Sequence, residues 1–123
     1  MATKTIYESL VWHEVRVTAH AAAQYITLKY GEAGARGTRV TLIAGTHGDE
    51  GPWSALAIKM LCRHPVAKLT GRLRVIFTAN ALAAELERRN SWIDSPNSFD
   101  LDGVFPGKDE GSHTERLRVR SPR

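Results

Sequence analysis

The feature that most constrains this chain is a buried-type strand that hands directly over to a helix through a glycine-rich turn. Residues 38–44 (TRVTLIA) hold Val40, Leu42, Ile43 and Ala44 in a near-continuous apolar run. Such a run suits a central strand covered on both faces. It ends in GTHGDEGP, residues 45–52. Pro52 fits the first turn of a helix, where a missing N–H costs no hydrogen bond. Trp53, Leu56, Ala57, Met60 and Leu61 then recur at helical spacing, which predicts a helix over residues 53–62. His64-Pro65 marks its end. Trp53, near the helix start, is expected in the core. Cys62 falls on or near the apolar side and is expected to be a buried structural thiol.

The flanking segments complete an α/β pattern. Residues 11–17 (VWHEVRV) alternate, with Val11, His13, Val15 and Val17 on one face and Trp12, Glu14 and Arg16 on the other. Residues 24–30 (QYITLKY) repeat the alternation after a short small-residue connection, so the two form an antiparallel pair. Gly31, Gly34 and Gly37 read as a turn. Residues 73–78 (LRVIFT) form a further strand, and residues 79–89, rich in Ala, Leu, Glu and Arg, a short helix. Residues 90–107 lack periodicity and read as a long loop, uncommon unless functional. A helical turn or two begins near Ser112. The order β-β-β-α-β-α-loop predicts an α/β fold with a mixed sheet and flanking helices.

Composition narrows the function classes. At 123 residues the chain holds one domain at most. Its single cysteine excludes an internal disulfide and a cysteine-based zinc finger. No apolar run approaches the roughly 18 residues that span a bilayer. The N-terminus lacks the apolar core of a signal peptide, so a cytoplasmic location is expected. The formal charge of +4 suggests nucleic acid as a partner. However, residues 116–123 carry four arginines and no acid; without them basic and acidic residues balance at 13 each. The charge belongs to a tail without interleaved aromatics, which ranks a nucleic-acid-binding domain last and leaves no nucleic acid and no membrane among the expected partners.

Chemistry concentrates in residues 45–51, at the carboxyl end of the predicted central strand, where open α/β sheets bind ligands. His47 and Glu50 stand three residues apart, with Gly48 and Gly51 expected to let the backbone turn so that both side chains converge. Imidazole and carboxylate are both zinc ligands, and a catalytic zinc takes three protein ligands and a water. The spacing alone favours a solvated turn, with Asp49 or Glu50 capping the helix and His47 exposed; the glycine setting and the strand-end position bring the metal reading level with it.

Motifs beyond this turn add specificity. AGTHGDEGPWSALAIKML, RLRVIFTANALA, Arg89, Asp94, DLDGVFPG and GSHTERL follow one another over about residues 40–117. In this order and spacing the chain resembles the succinylglutamate desuccinylase/aspartoacylase family of the zinc carboxypeptidase-like group. The resemblance implies the N-terminal part of that fold. It also implies a zinc-dependent hydrolase that removes an acyl group from an N-acyl amino acid, a small-molecule partner. One zinc ion would be held by His47 and Glu50, and Arg89 would polarise the substrate carbonyl. A fixed guanidinium suits that task because it stabilises charge developing on the carbonyl oxygen.

The chain also departs from the family. Where the family carries D-L-N-R, this sequence has Asp100-Leu101-Asp102-Gly103. Asp102 takes the place of a substrate-binding asparagine, and Gly103 that of an arginine that grips the substrate carboxylate. Ala81 replaces a family proline. The family's third zinc ligand, a histidine, and its general-base glutamate lie further along than this sequence runs. Of the other histidines, His13 is expected on an apolar face, His20 and His64 in solvent, and His113 in the tail. The expected organisation is a truncated deacylase domain over residues 1–115 and a basic tail over 116–123. The alternative to an active hydrolase is a catalytically incomplete fragment, which binds zinc weakly and self-associates through an exposed sheet edge.

Overall fold

The computed structural model describes residues 3–18, 25–90, 100–101, 114 and 116. β1 (Val11–Thr18) and β2 (Tyr25–Ala33) pair antiparallel, with Val15 opposite Leu28. β2 continues past Gly31, correcting the expected turn at that glycine. Gly31 lies between Trp12 of β1 and Val75 of β4 (Arg72–Ile76), because β2 joins both neighbours there. The chain turns instead at Gly34 and Gly37, whose φ values are 88° and 90°. β3 (Arg39–Ile43) runs parallel to β4, with Leu42 opposite Val75. The sheet order is β1-β2-β4-β3, the mixed sheet that the element order predicts.

Strand alternation divides the buried side chains into two cores. Ala33, Leu73 and Val75 lie on one face with Ile58 and Cys62 of the α1 segment, and with Ile6 and Leu10. The last two are brought in by a 3-10 turn, Tyr7–Ser9, which a capping box holds. In it the Thr5 amide donates to Glu8 Oε2 at 2.8 Å, and the Glu8 amide donates to Thr5 Oγ1 at 3.2 Å. Val17, Leu28, Ile76 and Ala79 lie on the opposite face with Leu101. Thr114, helical as expected near Ser112, is fully buried.

α1 (Gly51–Leu61) returns the chain from β3 toward β4, and it does not bury the face expected of it. Ile58 is buried, Ala55 packs beside it and Cys62, the C-cap, has no exposed surface. Trp53 is 77% exposed, and Leu56, Met60 and Leu61 are also exposed. The smaller stripe Gly51–Ala55–Ile58 is the side that seats on the core.

α2 (Ala81–Glu85) is much shorter than the expected 79–89. Asn80 caps it, accepting from the Ala83 amide at 3.2 Å. It ends in a Schellman motif, with Arg88 N–H on Ala83 O at 2.9 Å and Glu87 N–H on Ala84 O at 3.1 Å. Glu87 takes the left-handed position at φ 51°, where glycine is usual. That substitution hides the helix end from a sequence reading.

Candidate metal centre

The turn after β3 is held against the start of α2 by backbone alone. Ala79 N–H donates to Ala44 O at 2.9 Å and Asn80 N–H to Gly45 O at 2.8 Å. Gly45 has φ 69°, and a Cβ there would lie 3.0 Å from Thr78 Cα. Gly48 is tighter still: its Cβ would stand 2.1 Å from the carbonyl carbon of Ala83. Gly48 and Gly51 therefore do not serve the expected backbone freedom. Gly45 is the glycine with the left-handed turn, and Gly48 is required because a helix backbone presses on it. Gly48 N–H also donates to Arg89 O at 3.3 Å, which fixes the Schellman turn beside the histidine.

Four charged side chains converge on this turn. His47 Nδ1 lies 3.2 Å from Glu50 Oε2, and His47 Nε2 lies 2.8 Å from Asp100 Oδ1. Arg89 bridges the two carboxylates, 3.5 Å from Glu50 Oε1 and 3.2 Å from Asp100 Oδ2. The histidine side chain is only 11% exposed, against 66% for Glu50 and 52% for Arg89. The solvated turn with an exposed histidine is thus not what forms. Glu50 stands at the N-cap of α1 but makes no side-chain capping bond; its carboxylate turns to His47 and Arg89 instead.

The arrangement suits a cation. Two ligand atoms on a tetrahedral zinc, each at about 2.0–2.1 Å, stand about 3.3 Å apart. The Nδ1 to Oε2 separation is 3.2 Å. In the protonated ring both nitrogens donate, to Glu50 and Asp100; in the neutral tautomer with its proton on Nε2, Asp100 accepts and Nδ1 is left as a lone pair beside Glu50. A carboxylate behind a histidine in this way fixes the ring and raises its basicity. Burial is the largest single influence on His47 and pushes its pKa down. The hydrogen bonds to Asp100 and Glu50, and the Asp100 charge, outweigh it and hold the pKa above 6.5.

The structure brings His47, Glu50 and Arg89 together and adds Asp100, which the sequence reading quoted within a motif but gave no role. Among the described residues, no group of three or more His, Cys, Asp or Glu side chains is arranged to hold a metal. His13 is partly exposed, 3.6 Å from Glu32 and stacked on Tyr30 at 5.0 Å between centroids. Asp102, Asp94, His20, His113 and all of the basic tail except Arg116 lie outside the described residues. Cys62 is buried as expected, and burial pushes its thiol pKa up. No helix among the described residues is long and apolar enough to cross a membrane.

The strand, glycine turn and helix place a largely buried histidine beside two carboxylates and an arginine, and comparison with known proteins gives the arrangement a fold. No protein-family model matches the chain, and no curated protein sequence is significantly similar to it. Solved structures do match. An aspartoacylase family protein from Mesorhizobium loti superposes with TM-score 0.70 at 26% identity, over 91% of this chain and 35% of that one. A succinylglutamate desuccinylase from a Silicibacter species gives TM-score 0.75 at 21% identity, over 89% of this chain and 34% of that one. The product-bound ectoine utilization protein EutE (DoeB) from Ruegeria pomeroyi gives TM-score 0.73 at 22% identity, over 89% and 34%. The chain spans about a third of the length of the solved chains it matches. Its fold is that of the N-terminal part of aspartoacylase/succinylglutamate desuccinylase structures, the same family that the sequence motifs resemble.

Proposed function

We propose that this chain forms the metal-holding N-terminal part of a zinc-dependent hydrolase that removes an acyl group from an N-acyl amino acid. The observation that carries the reading is the orientation of His47. Its Nε2 is anchored on Asp100 at 2.8 Å while its Nδ1 converges with Glu50 at 3.2 Å. His47 and Glu50 would hold one zinc ion, with Asp100 positioning the imidazole. Zinc so placed supplies a polarised amide carbonyl and an activated water. Arg89, partly exposed beside Glu50, would donate N–H groups to the carbonyl oxygen as negative charge develops on it. Asp102, at the family's substrate-binding asparagine position, would contact the substrate there, and its charge disfavours an acidic group.

One observation favours a second reading, a catalytically incomplete fragment. Among the described residues the half-site offers two convergent zinc ligands and no third, whereas catalytic sites use three. Metal analysis separates the readings. Stoichiometric zinc that is lost in His47→Ala, with hydrolysis of N-acyl amino acids by the 123-residue chain, supports the enzyme. Zinc retained without hydrolysis supports the fragment. Absence of zinc from both wild type and variant removes the metal reading altogether.

A further inference from the structure

The turn that carries His47 and Glu50 is closed at its two ends by one side chain. The buried Gly45 amide, just past β3, donates to Ser54 Oγ at 3.2 Å. That hydroxyl donates its own hydrogen into the first turn of α1, where Gly51 O lies at 3.1 Å and Glu50 O at 3.4 Å. Residues 45–54 therefore form a ring shut by the Ser54 side chain, and both His47 and Glu50 stand inside it.

The chemistry of the closure fits a positioning task. At Ala44 the backbone is still engaged with the neighbouring segment: its N–H donates to Ile76 O at 2.8 Å and its carbonyl accepts from Ala79 N–H at 2.9 Å. At Gly45, with φ 69°, the carbonyl accepts from Asn80 N–H at 2.8 Å and the N–H goes to the serine. A buried amide without an acceptor is costly, so this bond constrains where the chain can run. A hydroxyl accepts and donates at once, and a single oxygen thus ties the strand end to the helix start. Among the described residues the Ser54 hydroxyl bonds only backbone groups, so it has no base to activate it as a nucleophile. The same contact fixes the backbone of Glu50, whose carboxylate makes no capping bond and turns to His47 and Arg89.

We infer that Ser54 is a positioning residue of the metal centre: its hydroxyl holds the 45–54 ring in the shape that brings His47 Nδ1 and Glu50 Oε2 to 3.2 Å. Its effect on metal binding rests on the zinc reading above, and its effect on the loop does not. Without the hydroxyl the ring samples shapes in which the two ligands stand apart. The apparent zinc dissociation constant then rises by the inverse of the fraction that remains competent.

Ser54→Ala tests the inference. Alanine favours the helix, so α1 is expected to persist. Ser54→Thr and Ser54→Val add a comparison of nearly equal shape, one with the hydroxyl and one without, which serves also where the alanine variant does not fold. Ile58→Val, in the core contact of the same helix, is the control for lost stability without a lost hydrogen bond. Amide hydrogen exchange on the metal-free 123-residue chain reads the loop. Gly45 exchanges faster in any variant that lacks its acceptor. Gly48 discriminates, because its N–H bonds Arg89 O at 3.3 Å, three residues from the lost contact. Ser54→Ala and Ser54→Val are expected to accelerate Gly48 exchange about tenfold or more relative to Ile58→Val, and Ser54→Thr to restore the wild-type rate. Titration of zinc against a chromophoric chelator is expected to give a dissociation constant about tenfold higher in the same two variants, recovered in Ser54→Thr and unchanged in Ile58→Val. Wild-type exchange at Gly48 in a folded variant without the hydroxyl overturns the inference, and so does zinc binding that these variants leave intact. A wild-type chain that binds no zinc removes the zinc reading, and the Gly48 exchange rates then decide whether Ser54 shapes the loop.

Discussion

Replacing Gly48 with alanine tests whether backbone apposition, rather than glycine's flexibility, builds the site. The added Cβ would stand 2.1 Å from Ala83 C, 2.2 Å from Ala83 O and 2.4 Å from Ala84 N. All three are backbone atoms, so no side chain can rotate away. Restoring ordinary contact at 3.4 Å requires the turn and α2 to part by more than 1 Å. Overpacking of this kind costs about 1–3 kcal/mol. Parting also breaks the Gly48 N–H to Arg89 O bond, worth about 1 kcal/mol. The expected loss is about 2–4 kcal/mol, a large share of a typical domain stability of about 5–15 kcal/mol.

Gly51→Ala is the matched control. Its Cβ would meet only Gly45 Cα, at 3.4 Å, which is ordinary contact. Alanine is also the better helix residue, so the variant should be neutral or up to about 1 kcal/mol more stable. Equilibrium urea unfolding followed by far-UV circular dichroism measures both, with the m-values checking that the unfolded states are comparable. A Gly48→Ala protein within about 0.5 kcal/mol of wild type refutes the reasoning, and so does a Gly51→Ala protein that is equally damaged.

Three further outcomes follow from single sites. Glu87→Gly relieves a left-handed residue at φ 51° and should stabilise the protein by about 1 kcal/mol, read as a Tm higher by several degrees. In metal-free protein His47 has a folded pKa above its ordinary 6.5. Its stabilising contribution is therefore fully present below the unfolded pKa and lost as pH rises through the folded one. The stability deficit of His47→Gln should accordingly shrink as pH rises above the ordinary histidine value of 6.5 in urea titrations. Cys62, fully buried with its thiol pKa raised, should react with a thiol reagent only as fast as the protein opens, so adding urea below the midpoint should accelerate labelling.

Strand patterns, the mixed sheet and the His47–Glu50 pair were legible because each rests on local periodicity or on spacing within one turn. What failed locally failed for nonlocal reasons. The α1 pattern displays two apolar stripes, Trp53–Leu56–Met60 and Ala55–Ile58–Cys62. Hydrophobicity alone favours the larger residues. The sheet accepts the smaller: Ala55, Ile58 and Cys62 pack into the core, while Trp53, Leu56 and Met60 stay exposed. The end of α2 was invisible because a glutamate occupies the position where a glycine would have announced it.

Asp100 is the deepest case. It lies 53 residues from the histidine it orients, beyond a helix, a strand and a second helix. No periodicity connects the two, and a carboxylate between Phe99 and Leu101 looks like any loop aspartate. The signal that could have found it is the buried neighbour. Leu101 packs into the core formed by Val17, Leu28 and Ile76. An apolar residue buried there ties its loop to the sheet, and in this structure the side chain before it reaches His47. A polar–apolar pair within an otherwise polar loop is therefore worth testing as an anchored functional residue. Here Leu101→Ala should weaken the His47–Asp100 contact as well as the core, with His47 losing part of its raised pKa in NMR titration. An unchanged His47 titration in a folded Leu101→Ala protein would show that the anchor and the carboxylate act separately.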